Sequence, residues 1–164
     1  MNRNNSAGLT TLELIIVVTI MGIMTALALT PSSVLTDKSK FANYKSQYQD
    51  ILQQTRNLAR NKQECVTLTI NGQTVTVVGY IMPPPCTGVL NGTQDTSVAP
   101  STFDSTVTLA PFTYGPSNTP VNPLIFNQQG GTDYSAQAVS TLSSPPNYVA
   151  TFTIYPVIGQ IQEQ

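Results

Sequence analysis

Few side chains in this sequence are of a kind that carries catalysis or binds a metal. The 164 residues include no histidine, which removes the usual catalytic triad and the imidazole metal ligand. Asp95, Asp104 and Asp133 are too scattered to form a calcium loop in the sequence, although they could meet in the folded chain. The glycine pair at 130–131 is not followed by a lysine, so the pattern of a phosphate-binding loop is missing. We therefore predict that the protein is not an enzyme and that it has no cofactor and no metal site.

The one chemically unusual position is Glu13, which interrupts an otherwise apolar segment over residues 9–29. As a helix this segment would be about 30 Å long, which matches the hydrocarbon core of a bilayer. A carboxylate inside such a segment costs roughly 2.5–3.5 kcal/mol at mid-bilayer and less near the interface. The segment contains no cation. The partner of Glu13 must therefore come from another chain or from a new chain terminus.

The residues around Glu13 resemble a known signal segment. Gly8 is followed by LTTLE at 9–13 and then by the apolar run, as in the class III signal segments of type IV prepilins and type II secretion pseudopilins. The resemblance implies that a prepilin peptidase cleaves between Gly8 and Leu9, and that Leu9 is then methylated. It also implies that the α-amino group of Leu9 pairs with Glu13 of a neighbouring subunit. Such a pair is favourable because opposite charges attract strongly where the dielectric constant is low.

The same resemblance divides the chain into four segments. Residues 1–8 are a cleaved polar leader, which the positive-inside rule keeps in the cytoplasm because of Arg3. Residues 9–31 are expected to form a transmembrane and filament-core helix, and residues 32–62 an amphipathic helix that continues into the head. Residues 63–164 would form a β-rich globular head. The expected localisation is single-pass in the inner membrane with a periplasmic or extracellular head, and then in a pilus or pseudopilus filament.

Residues 33–61 have the apolar periodicity of an amphipathic helix. Lysine and arginine side chains fall mainly on its other faces, so we interpret the apolar stripe as core packing in preference to a ligand groove. The stripe consists of Phe41, Tyr44, Tyr48, Ile51, Leu52, Thr55, Leu58 and Ala59.

Two alternating runs, at 65–70 and 74–78, flank Asn71-Gly72 and predict a β-hairpin with a type I′ turn. Residues 87–103 have the composition of a surface loop. The predicted fold class is α+β, with a long N-terminal transmembrane and spine helix packed on an antiparallel β head, which is the pilin fold. Further strands are predicted around residues 106–110, 124–126, 137–142, 148–155 and 160–162.

Cys65 and Cys86 are the two cysteines of the chain. In an envelope protein such a pair favours one disulfide, which would contribute about 3 kcal/mol in the chain-entropy model. The alternative is two unpaired buried thiols. Two thiols without a histidine are too few for a zinc site, which takes four ligands.

Charge is distributed unevenly along the chain. Every lysine and arginine lies at or before Lys62, whereas residues 63–164 contain five acidic residues and no basic one. Neutralisation of phosphates by basic side chains supplies most non-specific affinity for nucleic acids. The distribution therefore argues against nucleic acid as a partner of the head.

Two further stretches are similar to the GspH/FimT group within the pilin family. They are residues 52–68, which include Ala59-Arg60, and the C-terminal residues 152–161. Some FimT-type proteins bind DNA through basic residues near the C-terminus, where this chain has glutamines and Glu163 instead.

The resemblance implies a structural subunit of a type IV pilus or a type II secretion pseudopilus, specifically a minor pilin or pseudopilin. Its expected partners are other pilin or pseudopilin subunits, the prepilin peptidase, the inner-membrane assembly platform and the membrane itself. Three alternatives stay open: a major type IV pilin, a DNA-binding minor pilin of a competence system, and an uncleaved membrane-anchored extracellular module.

Overall fold

The structure is a computed structural model that describes residues 10–28, 33–86, 90–96, 98–145 and 147–164. The predicted leader at 1–8 lies outside these residues, and so do Gly8 and Leu9, the predicted cleavage and methylation positions. The chain divides into two compact units, Met1–Asp37 and Lys38–Gln164.

Helix α1 (Thr11–Ala28) is capped by the residue that precedes it. The Glu13 N–H donates to Thr10 Oγ1 at 3.3 Å, and the Leu14 N–H donates to the Thr10 carbonyl at 3.1 Å. Thr10 is therefore the N-cap, and Glu13 stands at the third helical position, where a capping box has its glutamate. A carboxylate in the first turn also interacts favourably with the helix dipole.

The expected transmembrane and spine helix is not observed, and the predicted fold class is wrong on this point. The described residues form two helices, α1 and α2 (Ser33–Lys62), and two antiparallel sheets, instead of one long N-terminal helix packed on a head. Among the described residues no helix is both long enough and apolar enough to cross a membrane. The predicted single-pass inner-membrane localisation is corrected accordingly.

The apolar stripe predicted on α2 is confirmed as core packing. Tyr44 and Leu58 lie half-buried at its edges. The helix ends in a Schellman motif, because Gln63 has a left-handed φ of 55° and the Glu64 N–H donates to the Ala59 carbonyl at 3.2 Å. The buried members of the stripe are Phe41, Tyr48, Ile51, Leu52, Thr55 and Ala59.

All strand pairs in the described part of the chain are antiparallel. The first sheet has the strand order β3-β2-β1-β8, with β4 also paired to β2, and the second has the order β11-β10-β9-β6-β7, with β5 also paired to β9. The strands are β1 (Cys65–Asn71), β2 (Thr74–Ile81), β3 (Thr93–Asp95), β4 (Ser101–Thr102), β5 (Thr108–Leu109), β6 (Phe112–Tyr114), β7 (Thr119–Val121), β8 (Leu124–Phe126), β9 (Ala138–Ser144), β10 (Tyr148–Ile154) and β11 (Ile161–Glu163).

The predicted hairpin is confirmed, but its turn is displaced by one residue. Asn71 pairs with Thr74, so the two turn residues are Gly72 and Gln73. Gly72 has a φ of 60°, whereas Gln73 has a negative φ. A glycine at the first turn position followed by an ordinary residue is the pattern of a type II′ turn, so the predicted type I′ turn is wrong.

The five other predicted strands are confirmed with small shifts as β5, β8, β9, β10 and β11. Four short strands were not predicted. β3 and β4 lie in the segment that we expected to be a surface loop, and Phe103, directly after β4, is buried in the core. β6 and β7 have three residues each. Strands of two or three residues are too short to show an alternating pattern, and β5, β8 and β11, which are equally short, were predicted without one.

The core of the second unit is a single cluster of buried side chains that come from α2 and from both sheets. Tyr48 lies at its centre. Its ring packs edge-to-face on Phe152 with a centroid distance of 4.9 Å and on Phe103 at 6.1 Å. Such aromatic pairs contribute about 0.5–1.5 kcal/mol beyond the area that they bury. The aromatic contacts thus connect α2 with β10 and with the end of β4.

Candidate functional site

Helix α1 exposes large apolar side chains all round. Residues at successive positions, such as 14 to 18, point about 100° apart, so together they cover every direction around the helix axis. A helix that is hydrophobic on all sides is normally buried. We call this the α1 surface. Its exposed large apolar residues are Leu12, Leu14, Ile15, Ile16, Val17, Val18, Ile20, Met21, Ile23 and Met24.

The α1 surface offers few polar groups. The Thr19 hydroxyl donates to the Ile15 carbonyl at 2.6 Å, and the Thr25 hydroxyl donates to the Met21 carbonyl at 2.7 Å. Both hydroxyl hydrogens are therefore used within the helix. Glu13 is the only charged residue in the sequence of α1. A partner of α1 would meet apolar atoms and one carboxylate.

Glu13 is exposed in the first turn of α1. Its predicted partner, the amine of Leu9, lies outside the described residues, so the charge pair stays a prediction. The N-terminal cap, in which the Glu13 N–H donates to Thr10 Oγ1, was not predicted from the sequence. The signal for this cap was present, since a threonine three residues before a glutamate is the capping-box pattern.

The predicted disulfide between Cys65 and Cys86 is confirmed, with the two Cα atoms 5.5 Å apart. The two sulfur atoms are bonded to each other, so the alternative of two unpaired buried thiols is wrong. The bond ties the start of β1 to the segment that follows β2. The same segment is held a second time, because Gln128 Nε2 donates to the Met82 carbonyl at 2.8 Å.

Three charged side chains meet where α2 runs into β1, and we call them the 62/64/95 cluster. The Lys62 ammonium forms an ion pair with the Asp95 carboxylate, and Glu64 lies against Gly79 of β2. The hydrogen bond that Lys62 donates to Asp95, together with the negative charges of Asp95 and Glu64, raises the pKa of Lys62 above its usual value. Sequence analysis did not predict this cluster, because Asp95 reaches it through the pairing of β3 with β2.

The other acidic residues of the head are not brought together. Asp104 accepts hydrogen bonds from the Thr106 N–H at 2.9 Å and from the Thr106 hydroxyl at 2.8 Å. Asp133 accepts one from Asn127 Nδ2 at 2.7 Å. In the part of the chain that the structure describes, no group of three or more histidine, cysteine, aspartate or glutamate residues is placed to hold a metal ion.

The two arginines near the end of α2 pack against loops of the head. Arg56 Nη2 donates to the Ile158 carbonyl at 3.0 Å. A Cβ atom on Gly130 would lie 2.5 Å from the methylene carbons of Arg60, so this glycine allows the arginine stem to pack closely. Arg56 is thus engaged with the protein's own backbone, which reduces what it could offer to a phosphate.

No family model matches this chain, and no curated protein or solved structure does either. The likeness to pilins and pseudopilins therefore depends on the motif at residues 8–13, on the α1 surface and on the two shorter stretches of similarity.

Proposed function

We propose that this chain is a structural subunit of a filament of the type IV pilus or type II secretion pseudopilus kind, a minor pilin or pseudopilin that assembles through α1 after cleavage behind Gly8. The observation that carries the proposal is the α1 surface. It combines apolar side chains in every direction with a single carboxylate.

The apolar side chains of α1 favour association with other copies of the same helix. Burial of one leucine or isoleucine side chain contributes about 1.5–3 kcal/mol relative to leaving it in water. Ten exposed large apolar residues on one helix give an association energy that can exceed the entropic cost of joining subunits. Packing between several copies covers all sides of α1, which contact with a single flat surface would not do.

Glu13 would set the position of one subunit relative to the next. Inside a bundle of apolar helices an ionised carboxylate is costly unless it is paired. Cleavage behind Gly8 creates an α-amino group at Leu9, four residues before Glu13. If this amine pairs with the Glu13 carboxylate of the next subunit, every copy is paired only when neighbouring subunits are staggered along the helix axis. The proposed pair therefore links processing of the chain to its assembly.

Two measurements on the full chain test this proposal. Mass spectrometry of protein from cells that contain the processing enzyme is expected to show an N-terminus at Leu9. Glu13→Gln is expected to lower the amount recovered in filaments by at least about tenfold, since one lost charge pair of roughly 1.4 kcal/mol or more has this effect. Glutamine is also compatible with the capping box, so the helix start is preserved.

The matched control is Asp50→Asn, which removes an exposed carboxylate from α2 and should leave filament recovery unchanged. Chains that still begin at Met1 and polymerise normally with Gln at position 13 would contradict the proposal. The share of this chain in purified fibres separates a minor from a major subunit. Retention of duplex DNA that weakens steeply as salt is raised would support the competence alternative instead.

A further inference from the structure

Glu64 is the one charged side chain that is buried among the residues the structure describes, with 5% of its surface exposed. Its Oε2 atom is shielded from solvent and has no hydrogen-bond partner among the described residues. An ionised carboxylate in such a position is costly unless a cation or a donor compensates it. The position therefore indicates that a cation belongs next to Oε2.

Gly79 makes the space in which this oxygen lies. A Cβ atom at position 79 would collide with Glu64 Oε2, and the same point is 3.4 Å from Asp95 Cβ. Gly79 and Asp95 are direct partners in the pairing of β2 with β3. The missing side chain at position 79 thus leaves room for Glu64, the residue before β1, and for Asp95, from β3, on the same side of β2.

Lys62 is the cation that the chain itself supplies to this space. Its ammonium pairs with Asp95, and its side chain is 42% exposed, compared with 21% for Asp95. One ammonium against two carboxylates leaves a formal charge of −1 in the 62/64/95 cluster. A long and partly exposed lysine stem can move into water without disturbing the core.

We propose that Glu64 and Asp95 bind a hard divalent cation, Ca²⁺ or Mg²⁺, which displaces the Lys62 ammonium into solvent. Carboxylate oxygens are the ligands that these ions prefer, and Mg²⁺ in particular is often held by one or two carboxylates while it keeps several waters. Asp95 is open enough to solvent for water to complete the coordination. Two carboxylates place the affinity in the weak class of extracellular modules, about 10⁻⁴–10⁻³ M. The site does not depend on filament assembly.

Calorimetric titration of the full chain with Ca²⁺, and separately with Mg²⁺, tests the site. Glu64→Gln keeps the shape of the side chain and is expected to weaken binding by at least about tenfold, because affinity follows the charge of the ligands. Lys62→Gln is expected to strengthen binding, because it removes the competing ammonium.

The matched control is Glu163→Gln. Like Asp95, Glu163 is partly exposed and forms an ion pair with a lysine, here Lys45 at 2.7 Å. It lies in β11, which belongs to the other sheet. Its replacement is expected to leave the titrations unchanged. If Ca²⁺ binds more tightly than Mg²⁺, the larger ion is the ligand, and the reverse order identifies the smaller one.

Absence of saturable binding of either ion up to about 10 mM, tenfold above the weakest affinity expected for such modules, would overturn the proposal. Equal affinity in the wild type and in a folded Glu64→Gln variant would do the same. If circular dichroism shows that Glu64→Gln does not fold, Lys62→Gln decides the question. Tighter binding than in the wild type supports the site, and unchanged or weaker binding refutes it.

Discussion

The hydroxyl oxygens of Tyr48 and Ser140 lie 3.0 Å apart in the core, although 92 residues separate them in the sequence. Ser140 has one hydroxyl hydrogen, which it donates to the Ala110 carbonyl at 2.8 Å. The Tyr48 hydroxyl is therefore the donor to Ser140 Oγ. The three groups form a buried chain that joins α2, β9 and the segment between β5 and β6.

The direction of this chain predicts unequal effects of its two obvious substitutions. Ser140→Ala leaves the Tyr48 hydroxyl and the Ala110 carbonyl without their partner, and an orphaned buried group costs about 1–3 kcal/mol. Tyr48→Phe removes the donor and leaves the bond from Ser140 to Ala110 in place, at a cost of about 0.5–1.5 kcal/mol. Urea unfolding measures both costs. A larger loss for Tyr48→Phe than for Ser140→Ala would show that Ser140 donates its hydrogen to the Tyr48 hydroxyl and not to the Ala110 carbonyl.

Tyr48 also predicts a loss of stability at alkaline pH. Burial raises the pKa of its phenol well above the ordinary value of about 10. Above about pH 10 the unfolded chain releases the proton and the folded chain keeps it, so the free energy of unfolding falls as pH rises. Below that pH the contribution is fully present. In Tyr48→Phe the fall is expected to be shallower, as measured by unfolding at a series of pH values.

Asp104 predicts a change at the acid end of the pH range. Hydrogen bonds from the Thr106 backbone N–H and from its hydroxyl, with the charge of Lys40 as a smaller contribution, hold the pKa of Asp104 below its usual value. The stability from this group is therefore full above about pH 4, the ordinary aspartate pKa, and is lost as pH falls through the lowered one. Asp104→Asn is expected to flatten this part of the profile. A profile as steep as that of the wild type would show that the Thr106 bonds do not favour the ionised form.

Gly159 and Gly72 predict a contrast between two substitutions with nearly the same backbone angle. Gly159 has a φ of 59°, and a Cβ atom there would collide with the backbone of Gly130. Gly72 has a φ of 60°, and no heavy atom lies within 4 Å of its Cβ position. Gly72→Ala is expected to cost about 1–2 kcal/mol from the left-handed conformation alone. Gly159→Ala adds overpacking of about 1–3 kcal/mol. Equal midpoints in thermal or urea unfolding would mean that the loop at Gly130 moves without cost.

The sequence predicted those parts of the fold that depend on local periodicity. The stripe on α2 and the alternation in β1 and β2 each repeat several times, so a chance arrangement of apolar residues is an improbable explanation of either pattern. β6 and β7 are too short for such repetition. The turn after β1 shows a finer limit, because Asn71-Gly72 allows two registers and the pairing of Asn71 with Thr74 selects one.

A candidate site was predictable only where the residue types alone determine which residues interact. Cys65 and Cys86 have one possible connection, so the disulfide followed from their number. The 62/64/95 cluster could not be predicted, because Asp95 joins it through strand pairing and Gly79 contributes by the absence of a side chain.

Thr19 and Thr25 of α1 donate their hydroxyl hydrogens to carbonyls of their own helix, and this has a consequence for any bundle that the helix enters. Neighbouring copies of α1 would meet no series of donors and acceptors that fixes the rotation of one helix against the next. Sliding one helix along another by a residue or two would change their packing energy little. The Glu13 carboxylate in the first turn of α1 would then be the only charged group of the helix that limits sliding. The position of each subunit along the bundle axis would then depend on Glu13 alone, and each subunit could still rotate about that axis.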